Sequence, residues 1–470
     1  MTESSLDLGV IGNCSFGALV DRQARVVWSC LPAFDGDPAF CSLLSPKGEG
    51  GDFAVELEDF ESSEQHYLPN TAVLRTVLRD SKGGEVEVID FAPRWRNNGR
   101  FYRPVSIIRQ IRPLAGNPRI VVRARPLADW GGRTPDTTWG SNHIRWVLPD
   151  FTLRLTTDVP VRFVRDGLPF VLSHPVSLVL GVDESLTRSL TGYVQEAQER
   201  TEEYWREWVR YLSIPLDWQE AVIRSAITLK LCQYEDSGAI IAAMTTSIPE
   251  APNTPRNWDY RYCWLRDAAF VVRALNRLGA TRTMEQFIGY IFNIATTDGT
   301  MQPLYGIGFE SQLEEHEVDT MDGYRGMGPV RRGNLAWIQQ QHDVYGSVVL
   351  ASTQLFFDLR LKDQGDASTF RKLEPLGERA FALHNVPDAG LWEFRGRAEV
   401  HTHTAAMCWA ACDRLSKIAE RLALDDRSVY WRERADTIRE RVLAEAWSDE
   451  HGHFTLSLIH ISEPTRPERI

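Results

Sequence analysis

The stretch DAGLWEFRG, Asp388 to Gly396, sets Glu393 between an indole and a phenyl ring. The run Pro387-Asp388-Ala389-Gly390 before it has the composition of a turn, which predicts that Glu393 stands near the start of a new element. Apolar neighbours hinder ionisation, and a carboxyl that keeps its proton suits general-acid chemistry. Such chemistry also asks for a second carboxylate. Another stretch, NWDYRYCWLRD at 257–267, gathers Tyr260, Tyr262 and Trp264 ahead of the adjacent pair Arg266 and Asp267. The pair stands at the mouth of a helix that AAFVVRALNRLG continues. An arginine fork and a carboxylate can grip vicinal hydroxyls while an indole supports an apolar ring face. Sugars present that mixture. A solvated helix start and a salt-bridged structural glutamate are the plainer readings of the same residues.

The elements that must hold these residues change character along the chain. From Phe53 to about Val182 the pattern alternates, in FAVELE, EVEVIDF, VSIIRQI, RIVVRAR and FTLRLTTDVPVRFV, with SKGGE at 81–85 as a hairpin signal. Short alternating strands point to an antiparallel β-sandwich. The segment from Glu184 to Leu212 reads as a helical linker. LDWQEAVIRSAITLKLC then opens with a capping-box pair, Asp217 and Glu220, and helical stripes follow at about 265–279, 282–296, 343–361, 367–383, 402–423 and 427–446. Paired helices in succession suggest an α/α toroid, with the unusual residues in the loops 257–266, 323–334 and 388–397.

The 470 residues favour two domains. A net charge of −12 makes nucleic acid and anionic membrane poor partners. No apolar run approaches the ~18 residues of a membrane span, and MTESSLDLGV lacks the pattern of a signal peptide. Seven dispersed cysteines without a CxxC pair suggest the reduced thiols of a cytoplasmic protein. Cys408 and Cys412, one helical turn apart, read as buried structural residues rather than metal ligands; no cofactor is expected and no metal ligand is assigned, and without an HExxH or EF-hand pattern metal dependence stays open. Fifteen tryptophans, several beside charged residues, fit either a packed core or a sugar site. Oligomeric state is not legible.

RNWDYRYCWLRDAAF together with GLWEFRG resembles glycoside hydrolase family fifteen, the glucoamylase and bacterial trehalase-like family. IGNCSFGALVDRQARVVWSCLPAFDGDPAF at 11–40, and GYRGMGPVRRGN followed by QHDVYG at 323–346, are similar to its bacterial members. The resemblance runs from about residue 7 to 455. It implies a multidomain β + α chain: a β-sandwich over 1–190, a helical linker over 191–213 and an (α/α)6 barrel over 214–455. It also implies inverting hydrolysis of α-glucosides from the non-reducing end, glucoamylase-like or trehalase-like. By motif position Glu393 would be the general acid. Arg266 and Asp267 would bind the terminal glucose, with Tyr260 and Trp264 lining its pocket. Trp392 and Arg395 complete the expected substrate-binding set. Phe394 and Arg395 stand where fungal glucoamylases carry a second acidic residue, so binding of the reducing-side sugar is expected to differ.

In the family the catalytic base lies late in the barrel, and no candidate for it is found here. Only seven or eight of the barrel's twelve helices can be counted. The ending LSLIHISEPTR, 456–466, looks like the translation of a sequencing adapter, so 456–470 reads as a non-native tail and the barrel as truncated and inactive. Two other readings stay open. One is a barrel-type phosphorylase, with Arg331 and Arg332 as cations for phosphate. The other is a non-catalytic sugar-binding protein.

Overall fold

The computed structural model describes residues 4–45 and 50–457. The chain divides into two compact units. The first is Met1–Asp236 with Ala243–Arg261 and Glu315–Gly333; the second is Ser237–Ala242, Tyr262–Glu314 and Asn334–Ile470.

In the first unit two antiparallel sheets share one apolar core. One sheet runs Gly9–Gly12, Gly17–Val20, Val26–Leu31, Asp52–Leu57, Arg119–Arg125, Phe170–Val171, with Asp37–Phe40 paired to Val26–Leu31. The other runs Asp136–Trp139, His143–Val147, Thr152–Thr157, Val176–Val182, Ser106–Ala115, Glu85–Phe91, Leu74–Asp80, Phe60–Tyr67. Alternation does what it should: in Arg119–Arg125, Ile120, Val122 and Ala124 are buried and the residues between them are not. The hairpin at 81–84 closes where Lys82 and Gly84 both donate their backbone N–H to Asp80 Oδ1 at 2.8 Å.

The alternating stretch through Phe163 does not stay extended. The strand ends at Thr157, Pro160 interrupts it, and Val161–Arg165 forms a short helix, α1. Proline has no N–H for a ladder and readily precedes a helical turn. Beyond it, α2 (Leu190–Arg210) is not a free linker. Its Tyr193, Val194 and Ala197 pack on Ile89, Phe91 and Ile108 of the second sheet and on Val73 beside it. α3 (Gln219–Leu231), expected in the helical domain, belongs to this unit too, with Ile227 and Leu231 against Ala72 and Trp205. The capping box does not form. Trp218 takes the N-cap position at φ 61°, without a side-chain cap bond.

The loop 323–334, expected among the helices, mostly joins the sheets as well. His316–Val318 pairs with Val330–Arg332, and Met321, Tyr324 and Val330 bury Trp28, Leu43 and Leu44.

The second unit holds α4 (Leu265–Arg277), α5 (Thr281–Ile294), α6 (Asp343–Phe357), α7 (Ala367–Leu383), α8 (Thr402–Arg421) and α9 (Asp425–Ala446). Their positions follow the sequence stripes closely. α9 buries Trp431, Ala435 and Ile438, and Val442 packs on Ala405 and Ala446. α6 is buried on nearly every side and packs on α4, α5, α7 and α8. At its crossing with α8 a Cβ on Gly346 would come 2.3 Å from the Met407 carbonyl oxygen, so the two backbones meet there because residue 346 has no side chain.

Of the stretch read as a foreign tail, residues 458–470 lie outside the described residues. Leu456 and Ser457 have fixed partners: Thr402 N donates to Leu456 O at 3.0 Å, and Ser457 bridges His401.

Candidate active site

Glu393 does not begin a new element. It sits in a turn, with Glu393 N donating to Gly390 O and Phe394 N to Ala389 O, both at 3.1 Å. The flanking rings do not wrap its carboxyl either. Trp392 is 61% exposed, and Phe394 lies against the His401 ring at 5.9 Å between centroids. The carboxyl meets two donors instead, since Trp264 Nε1 reaches Glu393 Oε1 at 2.6 Å and Arg266 Nη2 reaches the same oxygen at 3.1 Å. Charge-assisted and neutral bonds thus converge on one atom.

The donors are placed by the start of α4. Trp264 is its N-cap residue and is itself buried, in a short strand paired with Leu304–Tyr305. Arg266 and Asp267 fill its first turn, where a carboxylate suits the positive end of the helix dipole. Arg266 donates through Nη1 to Gln341 Oε1 at 2.8 Å and lies 3.5 Å from Asp343 Oδ2. Asp343 is buried, neither of its oxygens accepts a hydrogen bond among the described residues, and Arg266 is its counter-charge. A buried carboxylate needs such a partner. The Asp267 side chain keeps 49% of its surface open to solvent and lies 3.8 Å from Arg266. Close-packed protein on its inner side raises its pKa, Arg266 works against this, and the charges of Glu393 and Asp343 add to the rise.

The structure therefore brings Trp264, Arg266, Asp267 and Glu393 together. Trp392 and Arg395 stand on the same turn as Glu393, both exposed. Tyr260 falls in the first unit, where its hydroxyl donates to Glu250 Oε1 at 3.2 Å.

Sequence reasoning missed Gln339, Gln341, Asp343 and Asp388. Gln341 and Asp343 lie in QHDVYG, a motif noticed without any role for its members. Gln341 Nε2 donates to Gln339 Oε1 at 3.0 Å, and Gln339 Nε2 reaches the Glu393 carbonyl at 3.5 Å.

Arg331 is occupied elsewhere. It donates to the carbonyls of Pro255 and Asn257 at 2.8 Å, pairs with Glu317 at 3.1 Å and covers the Trp258 ring, all within the first unit. Arg332 lies beside it in the hairpin, opposite His316. A cavity of about 290 Å³ lined by α4, α5, α6 and α8 includes Arg266 but neither Asp267 nor Glu393. Cys408 and Cys412 are both buried and free; Cys408 Sγ donates to the His342 carbonyl at 3.6 Å.

The family profile described as glycosyl hydrolases family 15 matches residues 217–463, and one described as trehalase-like, N-terminal matches residues 6–144. A trehalase of Mycolicibacterium smegmatis is 30% identical over 485 residues, covering 96% of this chain and 71% of the relative. A trehalase of Mycobacterium tuberculosis is 28% identical, covering 96% and 70%. A trehalase of Thermoplasma volcanium is 29% identical, covering 95% and 72%.

Proposed function

Because this chain belongs to the glycosyl hydrolases of family 15, we propose that it cleaves α-glucosidic bonds with inversion, that trehalose is its substrate, and that Glu393 is its general acid. The observation that carries the reading is the convergence of the Trp264 indole and the Arg266 guanidinium on one oxygen of Glu393, with half-open Asp267 beside them. The trehalase relatives favour trehalose over longer glucosides. Asp267 and Arg266 are the groups that grip the hydroxyls of a terminal glucose. The Glu393 proton goes to the glycosidic oxygen as its bond to the anomeric carbon breaks. Water adds from the opposite ring face and gives its proton to a base, which in an inverting enzyme stands about 6.5–9.5 Å from the acid. No residue of this chain is proposed for that base. For the helical unit we propose part of an (α/α)6 barrel, supported by the alternation in which α6 packs on both α4 and α8 while α5, α7 and α9 each pack on the helix before.

The test is to titrate trehalose, maltose and soluble starch into the protein and to follow the products by NMR. Trehalose is expected to bind, and inversion must yield α- and β-glucose together, since only the attacked glucose is inverted. Release of α-glucose alone means retention. Failure to bind any α-glucoside, or release of glucose 1-phosphate only when phosphate is present, overturns the reading altogether.

A further inference from the structure

The Glu393 turn is weakly held by its own backbone. Two bonds close it, and Glu393 itself stands at φ 53°, a region that costs a side-chain-bearing residue about 1–3 kcal/mol unless its surroundings impose it. The imposing group sits just before the turn. Asp388 is 1% exposed, and its Oδ2 accepts from the backbone N–H of His342 at 2.9 Å and from Thr404 Oγ1 at 3.0 Å.

Those two donors belong to different helices. His342 is the N-cap residue of α6 and Thr404 lies in the first turn of α8, and neither helix is capped by the side chain of its own N-cap residue. Asp388 thus accepts a backbone N–H at the start of α6 and a side-chain hydroxyl in the first turn of α8. Burial raises the pKa of Asp388, and these two donors work against that rise.

The same clasp continues on either side. Ala389 N donates to Gln340 O at 2.9 Å, and Asp388 exchanges two backbone bonds with Glu399. Gln340 lies between Gln339, which reaches the Glu393 carbonyl, and Gln341, which holds Arg266. Gly390, at φ 65°, lets the chain fold over His401, whose ring a Cβ there would approach to 2.4 Å.

We propose that Asp388 is a positioning residue for the acid: by fastening the Glu393 turn to the N-termini of α6 and α8, it keeps the Glu393 carboxyl beneath the Trp264 indole and the Arg266 guanidinium. This rests on Glu393 being the acid, but its test does not need turnover. The indole N–H of Trp264 reports its bond to Glu393 directly. The indole of Trp431, which donates to Glu374 at 3.0 Å between α9 and α7, is a reference in the same spectrum. Trp264→Phe and Trp431→Phe identify the two signals.

In Asp388→Ala, solvent exchange of the Trp264 indole N–H is expected to quicken about tenfold while that of Trp431 is unchanged. Asp388→Asn should largely restore it, since one amide oxygen can accept both bonds. Thr404→Val, which removes one donor and keeps the shape, should act in the same direction and stands in if the alanine variant does not fold. Unchanged Trp264 exchange in a folded variant, or Trp264 and Trp431 quickening together, overturns the proposal. Where trehalose is turned over, kcat should fall about tenfold or more with KM within about twofold, as expected of a displaced acid with intact sugar contacts. A protein that binds no trehalose would sink the functional reading and leave the indole result to decide this one.

Discussion

Glu393 and Asp267 have different exposures and are assigned different work. Glu393→Gln keeps an oxygen for Trp264 and Arg266 to bond but has no proton to give, so trehalose turnover should drop by about 10²–10⁴-fold while binding, measured by calorimetry, persists. Near-normal turnover would end its assignment as the acid. Asp267→Ala removes a carboxylate that faces solvent and the proposed terminal glucose, so KM should rise and kcat fall together. Steady-state kinetics indistinguishable from the parent's would return the Arg-Asp pair to a solvated helix start. These residues were legible because each sits in a short run of unusual types, WLRD or LWEF. Asp388 and Gln341 were not, because their work depends on segments tens of residues apart meeting in space. The sequence also misled about what surrounds Glu393. Neighbours in the chain point to different sides of a turn, and the groups that touch its carboxyl come from another loop.

At the level of elements, periodicity served the helices better than local signals served their ends. Six stripes of period 3.6 became α4 to α9 within a few residues, because burial of one face decides whether such segments fold. The capping box at Asp217 failed because Trp218, one residue on, turned left-handed and took the cap position itself. The strand reading failed at Pro160 for want of an N–H. The close crossing of α6 and α8 matters most for the site, since both helices present their N-termini to Asp388. Gly346→Ala should force those backbones apart and lower stability by about 1–3 kcal/mol in urea unfolding. An unchanged midpoint would show that the crossing has slack.

The molecule as a whole divides differently from its sequence signals. The change from strand to helix near residue 190 looks like a domain boundary, and the family 15 match begins at 217, yet the first compact unit runs to Asp236. It also takes back two later segments. A fragment ending at residue 190 should therefore not fold stably. It would lack Tyr193, Val194 and Ala197 over the second sheet, Trp205 over Ala72, and Met321, Tyr324 and Val330 over Trp28, Leu43 and Leu44. Each large apolar side chain left in water forgoes about 1.5–3 kcal/mol, against net stabilities of only about 5–15 kcal/mol. Circular dichroism on heating should show no cooperative loss of β structure in that fragment. A sharp transition would mean that the two sheets suffice alone.

The chain passes between its two units at 236/237, 242/243, 261/262, 314/315 and 333/334. A ribosome that has delivered all of the long strands has still not delivered Val330, which closes over Trp28 some three hundred residues earlier in the chain. The sheet unit therefore stays unfinished until α4 and α5 of the helical unit have emerged, and the two must mature in overlapping time rather than one after the other. Recombination meets the same constraint. A crossover that moved only the first two hundred codons to another gene would carry the strands away without their cover, so this pair of units is expected to be inherited as one piece.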